Sequence, residues 1–193
     1  MARAREIAIS ITVAIVMPAV FLGAIELGAR ALRLGFEPAF FIAQGSDWIT
    51  NEKYGWRWFP REIARTPAPA IVQATKTKRR IFVLGESAAM GFPDPAYGLA
   101  AQLQSSLGND WEVINAAMTA INSHAVRDIA SACAKLHPDV FVIYMGNNEV
   151  VGPFGAGSIF GRTSSIPFIR TQLWLKQWHA AQAFSDWLAP KNI

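Results

Sequence analysis

Two polar turns, each following an apolar run, carry the residue types in this chain that could do chemistry together. The turn 85–87 reads Gly-Glu-Ser and follows the run 81–84, and the turn 146–149 reads Gly-Asn-Asn-Glu and follows the run 140–145. A buried strand that ends at a glycine and then presents a serine can offer a nucleophile at the carboxyl edge of a parallel sheet. An asparagine at a neighbouring strand end can donate to an oxyanion. The two turns therefore indicate chemistry of the hydrolase type.

Three apolar runs predict the strands that would position these turns. They cover residues 81–84, 111–114 and 140–145 and recur at about thirty residues, the spacing of a βαβ unit. Between the first two, leucines at every fourth position predict a helix that ends at Gly108. Between the second and third, Ser123 is suited to cap a helix that Pro138 stops. The pattern predicts a doubly wound parallel α/β sheet.

Three segments together resemble the first three sequence blocks of the SGNH (GDSL-type) hydrolase superfamily: residues 85–87, 115–120 and 146–149. The resemblance covers residues 80–155 and implies a partial flavodoxin-like, three-layer parallel sheet. It also implies Ser87 as the nucleophile and positions 120 and 148, here Ala120 and Asn148, as the oxyanion-hole donors. The family's sheet has five strands, whereas three are readable here, so we expect the edge of the third strand to be exposed.

Two departures from the family pattern bear on activity. Ala120 stands where the family usually has glycine, and an alanine is strained if the loop needs a positive φ there. The family's Asp-x-x-His, which supplies the general base, has no counterpart, because Ile121, Ala134 and Lys176 stand three positions before the three histidines, His124, His137 and His179. A serine without a base is a poor nucleophile at neutral pH. We therefore predict a structural, non-catalytic Ser87.

The N-terminal segment is apolar enough to enter a membrane. Residues 7–25 contain no charge, and the chain as a whole has 52% apolar residues and a mean hydropathy of +0.21. Nineteen helical residues approximate the hydrocarbon thickness, so we predict one transmembrane helix. A cleaved signal peptide is the alternative, since Arg3 and Arg5 precede the run. We expect a bacterial inner-membrane protein with a cytoplasmic N-terminus and a periplasmic domain.

The chain divides into four predicted segments. Residues 1–33 form the anchor, 34–79 an irregular linker rich in proline and aromatic residues, 80–155 the α/β domain and 156–193 an amphipathic tail. The tail is predicted to be helical, with one apolar face that contains Trp174, Trp178, Ala181, Phe184 and Leu188. Such a helix can lie on a membrane, dock in a partner's groove or cover the protein's own sheet.

Charge and cysteine content narrow the expected partners and cofactors. The net charge is +4 and the basic run 76–80 precedes a strand, which is typical of a solvated linker. No nucleic-acid motif accompanies it, so we expect contacts with the lipid bilayer or with other membrane-protein subunits rather than with nucleic acid. The lone Cys133 can form neither an internal disulfide nor a cysteine metal cluster. We expect no cofactor and no metal.

These observations leave three hypotheses. The first is a membrane-anchored, SGNH-like structural or accessory subunit of a larger membrane assembly, for example an energy-transducing or envelope assembly. The second is an envelope serine esterase or O-acetyl hydrolase in which Ser87 attacks and the base comes from a partner or from further sequence. The third is a module that binds an ester or carbohydrate at the strand ends without turning it over.

Overall fold

The structure is a computed structural model that describes residues 2–158 and 165–188, with side chains described from residue 10 onward. The described residues form two compact units. The first comprises residues 1–36 and 171–193, and the second residues 37–170. The gaps at 159–164 and 189–193 fall within the expected tail segment, and those residues lie outside the described part of the chain.

The first unit is built on helix α1, Ala2–Ala31. Its window Ser10–Ala31 is long and apolar enough to cross a membrane, and its apolar side chains are largely exposed. Pro18 lies inside the helix without ending it, a position that membrane helices tolerate because neighbouring groups satisfy the freed carbonyl. The apolar window therefore ends six residues later than the run 7–25 suggested.

The second unit contains the expected parallel sheet. Its strands are β4, Arg79–Gly85, β5, Trp111–Asn115, and β6, Val140–Tyr144, in the order β5-β4-β6. Ile81 pairs with Val113 on one side and with Val140 on the other. The prediction of an α/β fold with a parallel sheet is confirmed. It succeeds because each strand is a short apolar run bounded by turn residues.

Helices α2, Ser87–Met90, and α3, Leu99–Leu107, pack on one face of the sheet, and α4, Ser123–Cys133, contacts β4 as well. As predicted, Gly108 ends α3, with φ +71° and ψ −156°, an extended positive-φ conformation that favours glycine. The cap of α4 differs from the prediction. Asn122 is the N-cap residue, and Ser123 is the first helical residue, whose N–H and hydroxyl both donate to the Glu149 carboxylate at 2.9 and 2.7 Å.

Residues 34–77, expected to be irregular, contain a small antiparallel sheet. Strands β1, Phe41–Gln44, β2, Asp47–Thr50, and β3, Ile71–Val72, pair in that order. The aromatic side chains of this segment are buried, including Tyr54, Trp58 and Phe59. Tyr54 packs edge-on against Phe40 with ring centroids 4.9 Å apart. The aromatic segment is therefore packed into the second unit.

In the basic run 76–80, residues 76–79 are exposed, as expected of a solvated linker, whereas Arg80 is buried. Arg80 is only 1% exposed, and its guanidinium donates to the Glu112 carboxylate at 2.7 Å and to the carbonyls of Leu136 and Gln73 at 2.6 and 2.8 Å. Lys76 pairs with Asp139 at 2.6 Å. Arg80 alone departs from the expectation, because Glu112, Leu136 and Gln73 accept hydrogen bonds from its three guanidinium nitrogens, which makes burial of the charge tolerable.

The tail forms two helices instead of one. Helix α5 covers Ile166–Leu175 and α6 covers His179–Leu188, with a break at 176–178. Within the first unit, His179 Nδ1 lies 2.7 Å from the carbonyl oxygen of Leu34. His179 is half-buried at the start of α6. Its ring is fixed against the chain that follows α1.

Candidate active site at the carboxyl edge of the parallel sheet

The turn after β4 places Ser87 at the carboxyl edge of the sheet. Gly85 adopts φ +145°, and a Cβ there would overlap the carbonyl oxygen of Tyr144 in β6. Only glycine therefore allows the two strands to approach at this point. Ser87 follows as the first residue of α2 and is half-buried. Its hydroxyl has no hydrogen bond to any residue in the described part of the chain, so it is open to a ligand.

Glu86 is the central positioning residue of this edge. Its side chain is buried, and its carboxylate accepts hydrogen bonds from the backbone N–H groups of Gly146, Asn147 and Asn148 at 2.9 to 3.3 Å. A carboxylate that accepts several backbone N–H bonds fixes a loop strongly, since such bonds are charge-assisted. Sequence analysis missed this role. The only signal was an acidic residue placed directly between a strand-ending glycine and a serine.

Ala120 lies in the turn that follows β5. Its φ is +60°, the left-handed conformation that disfavours a side chain. The preceding residues are tied to the β4 turn, because the Met118 N–H donates to the Gly85 carbonyl at 3.1 Å and the Ala116 N–H donates to the Val83 carbonyl at 2.8 Å. The backbone around Ala120 is thus held by its neighbours in a conformation that this residue does not favour.

Asn115, which ends β5, ties the same edge to α2. Its amide nitrogen donates to the Met90 carbonyl at 2.9 Å, and its amide oxygen accepts the Ala117 N–H at 3.2 Å. One side chain therefore joins the last residue of the serine-bearing helix to the turn that leads to Ala120. This link makes the two turns a single rigid element.

Asn148 lies in the turn that follows β6. It is half-buried, its N–H donates to Glu86, and its carbonyl accepts the Gly152 N–H at 2.7 Å. Further along this loop, the Asn122 amide donates to the Pro153 carbonyl at 2.8 Å. The Glu149 carboxylate accepts both Ser123 hydrogen bonds described above. Residues 146–153 are therefore fastened to the turn after β4 and to the start of α4.

The fold thus brings the three predicted site positions to one edge of the sheet. Ser87, Ala120 and Asn148 lie on three consecutive turns, and the turn that carries Ser87 is hydrogen-bonded to each of the other two. Such an edge supplies a hydroxyl, a backbone N–H and a side-chain amide, the groups that an acyl-transfer site needs apart from its base. The three positions therefore lie on turns that hydrogen bonds connect.

The three histidines lie in the described part of the chain, each in a different setting. The His124 ring packs edge-on against Phe154 with centroids 6.3 Å apart. His137 sits in a left-handed conformation after the turn that extends α4, and His179 belongs to the other unit. No hydrogen bond joins a histidine to Ser87. The described residues likewise contain no cluster of three or more His, Cys, Asp or Glu placed to hold a metal.

A cavity of about 580 Å³ opens beside α2. Its walls are residue 88, residues 91–94 of the loop after α2, residues 97–99 and 102 at the start of α3, and Tyr144 of β6. Phe92 and Tyr97 are largely exposed beside it. Ser87 does not line this cavity. The cavity therefore lies next to α2, the helix that begins with Ser87, but Ser87 itself is not part of its wall.

Comparisons of the chain with protein-family profiles, with curated proteins and with solved structures find no match. The resemblance to the SGNH superfamily accordingly rests on the residues of the three turns.

Proposed function

We propose that the chain is a membrane-anchored, SGNH-like protein that lacks hydrolase activity and serves as a structural or accessory subunit of a larger membrane protein assembly. In this proposal α1 is the anchor, the N-terminus is cytoplasmic and the second unit is periplasmic. The second unit is the N-terminal part of a flavodoxin-like, SGNH-type sheet. The observation that carries the proposal is the exposure of β6.

Strand β6 is the outer strand of a parallel sheet, yet it is open to solvent along most of its length. Exposure ranges from 38% to 56% at four of its five residues, Val140, Phe141, Ile143 and Tyr144. Parallel sheets are normally covered on both faces, and an unpaired strand edge is a template for another chain. An apolar strand that is open in this way favours a protein partner that extends or covers the sheet.

Two isoleucines offer a matched test of this surface. Ile143 is exposed on β6, and Ile71 is exposed on the short strand β3 of the other sheet. We expect gentle solubilisation of the native membrane to yield a complex larger than the monomer on a native gel. Ile143→Lys should abolish that complex, because a lysine ammonium cannot be buried unpaired in an apolar interface. Ile71→Lys should leave it intact.

A monomer as the only species from native membranes would overturn the subunit proposal. Survival of the complex in Ile143→Lys would show that β6 is not the contact. The anchor is tested separately by extraction with alkaline carbonate, which should leave the chain in the membrane pellet, and by protease protection of the second unit in spheroplasts.

A second candidate function is favoured by the backbone at Ala120 and by the open hydroxyl of Ser87. Left-handed non-glycine residues persist where the surroundings over-determine them, and they cluster at active sites. In this candidate the chain is an envelope serine esterase or O-acetyl hydrolase. Ser87 attacks the ester carbonyl, the Ala120 N–H and the Asn148 amide bind the oxyanion, and a base from a partner or from further sequence takes the serine proton.

A fluorophosphonate probe distinguishes the two functions in native membranes. If Ser87 is an active nucleophile, the probe should label the wild-type chain and the control variant Ser131→Ala but not Ser87→Ala. Ser131 is an exposed serine on α4. The subunit proposal expects no label at Ser87 in the intact assembly. Labelling that Ser87→Ala abolishes would overturn the non-catalytic assignment and establish the esterase.

A further inference from the structure

Glu26, a buried carboxylate near the end of α1, caps another helix. Its side chain accepts hydrogen bonds from the N–H groups of His179 and Ala180 at 3.1 and 2.9 Å, and from the Arg30 guanidinium at 2.7 Å. The first N–H groups of a helix have no partner within it, and a carboxylate there is favourable. Glu26 therefore holds the N-terminus of α6, a helix that begins more than 150 residues later.

Two further contacts fix α6 against the chain that follows α1. His179 Nδ1 lies 2.7 Å from the Leu34 carbonyl, and the Gln182 side chain accepts the Phe36 N–H at 2.6 Å. Gln182 is buried, and a Cβ on Gly35 would overlap its amide oxygen. The first turn of α6 is thus fastened to residues 26–36 by side chains and by close backbone packing.

The level of this attachment relative to the bilayer follows from the charges of α1. Residues 7–25 are uncharged, whereas Glu26, Arg30 and Arg33 follow within eight positions. Charged side chains mark the end of a span because they are costly in hydrocarbon. If α1 spans the membrane, residues 26–36 lie at headgroup level. Because α6 has ten residues and each helical residue rises 1.5 Å, its far end is at most about 15 Å away.

The later turns of α6 expose large apolar side chains at this level. Phe184 is 60% exposed, Trp187 72% and Leu188 60%, and the rings of Phe184 and Trp187 stack with centroids 6.0 Å apart. Tryptophan and other aromatic side chains are enriched at membrane interfaces, where an apolar ring meets the headgroups. A helix with this composition, tethered at headgroup level, has a phospholipid surface within reach of its exposed face.

We propose that α6 is a second membrane contact, in which Phe184, Trp187 and Leu188 insert into the interfacial zone of the leaflet from which α1 emerges. The ligand is the phospholipid bilayer itself. The inference rests on the proposed anchoring of α1. Hydrogen bonds from the first turn of α6 attach it to residues 26–36 at the end of that span. This attachment places the aromatic face beside the headgroups and therefore favours lipid over a protein groove.

Quenching by brominated lipids tests this contact in the full chain. The protein is reconstituted into phosphatidylcholine and phosphatidylglycerol vesicles with bromines placed either near the headgroups or deep in the acyl chains. We expect shallow bromines to quench the tryptophan emission more than deep ones, and Trp187→Phe to remove a large part of that quenching. Trp111→Phe is the matched control, because Trp111 lies on β5 in the other unit under the Arg79 guanidinium.

Glu26→Leu probes the attachment itself, because it keeps the span apolar and removes the cap. We expect the shallow quenching that depends on Trp187 to fall in this variant while the chain still resists carbonate extraction. Equal quenching in Trp187→Phe and Trp111→Phe, with the chain retained in the membrane, would overturn the contact by α6 and leave the anchor standing. Loss of the wild-type chain from the carbonate pellet would overturn the anchor, and the contact with it.

Trp187 shielded from aqueous acrylamide in native membranes, but neither quenched nor shielded in vesicles, would assign α6 to a protein partner. That result would likewise overturn the lipid assignment.

Discussion

The Glu86 carboxylate accepts the backbone N–H of Asn147 at 2.9 Å, across 61 positions of sequence. This bond and its neighbours join the turn that carries Ser87 to the turn that carries Asn148. One buried side chain therefore sets the relative position of two candidate site elements. Any chemistry or binding at this edge depends on it.

Removal of the Glu86 carboxylate should loosen this edge. We expect Glu86→Ala to lower the free energy of unfolding by about 2 kcal/mol or more, since hydrogen bonds to a charged acceptor are the stronger kind. Glu86→Gln should cost less because one oxygen remains as an acceptor. Urea unfolding in detergent, followed by tryptophan fluorescence, measures both. Glu62→Gln, at an exposed position, should stay within about 0.5 kcal/mol of the wild type.

Gly85 and Gly108 form a matched pair of positive-φ glycines. Gly108→Ala meets open space, so it should cost only the backbone strain of its positive φ, about 1–3 kcal/mol. Gly85→Ala adds an overlap with the Tyr144 carbonyl oxygen and should lower the free energy of unfolding by about 3 kcal/mol or more. Equal losses in the two variants would show that β4 and β6 separate without penalty.

Ala120→Gly should stabilise the chain, although a change from alanine to glycine usually lowers stability. Glycine removes the left-handed strain at position 120, which is worth about 1–2 kcal/mol. Because glycine also raises the conformational entropy of the unfolded chain, part of this gain is lost, and we expect a net gain in stability of up to about 1 kcal/mol. Ala125→Gly, at a buried helical position of α4 with no positive φ, should instead lose about 1 kcal/mol. Thermal unfolding of the two variants compares them. A loss at 120 as large as that at 125 contradicts the strained assignment.

Asp139 should give stability a specific dependence on pH. Its pKa is lowered by the hydrogen bond from the Lys76 ammonium and by that from the Arg80 N–H, each at 2.6 Å. A lowered folded-state pKa means that the contribution is complete above the unfolded pKa of about 3.9 and is lost as pH falls through the folded value. Asp139→Asn should therefore flatten the decline of stability below about pH 4.

Asp110→Asn is the control for this pH series. Asp110 is exposed before β5, and no hydrogen bond reaches its side chain from the described residues. It should leave the acid limb of the stability curve unchanged. If the Asp139→Asn stability curve runs parallel to the wild-type curve over the same pH range, the ion pair with Lys76 does not contribute to the pH dependence of stability.

The parts of the fold that sequence alone predicted are those with local signals. The strands of the parallel sheet are apolar runs, and α3 is bounded by a leucine period and Gly108, so nearest-neighbour reasoning finds them. Strands β1, β2 and β3 have four, four and two residues, which is too short for an alternation to stand out. Their existence depends on packing of the aromatic segment around Tyr54.

The positions of Ser87, Ala120 and Asn148 at one edge follow from the parallel direction of the three strands, which the spacing of the runs predicted, whereas the strand order was not predicted. The roles of Glu86 and Arg80 could not be predicted in this way. A buried charge is tolerated only when all of its partners are in place. Those partners lie on segments far apart in the sequence, such as Gln73, Glu112 and Leu136 for Arg80. Sequence patterns describe neighbours along the chain, and these contacts are between neighbours in space.

The order β5-β4-β6 has a consequence for synthesis of the chain. Strand β4 is made first but lies in the middle, and its two neighbours follow about thirty and about sixty residues later. Strand pairing over such separations is slow, because the entropy of closing the loop is lost before the strand contacts form. The apolar β4 therefore leaves the ribosome before either of its neighbours has been made. The time for which β4 stays unpaired is set by the rate of translation, and unpaired apolar strands of this kind are prone to aggregate during synthesis.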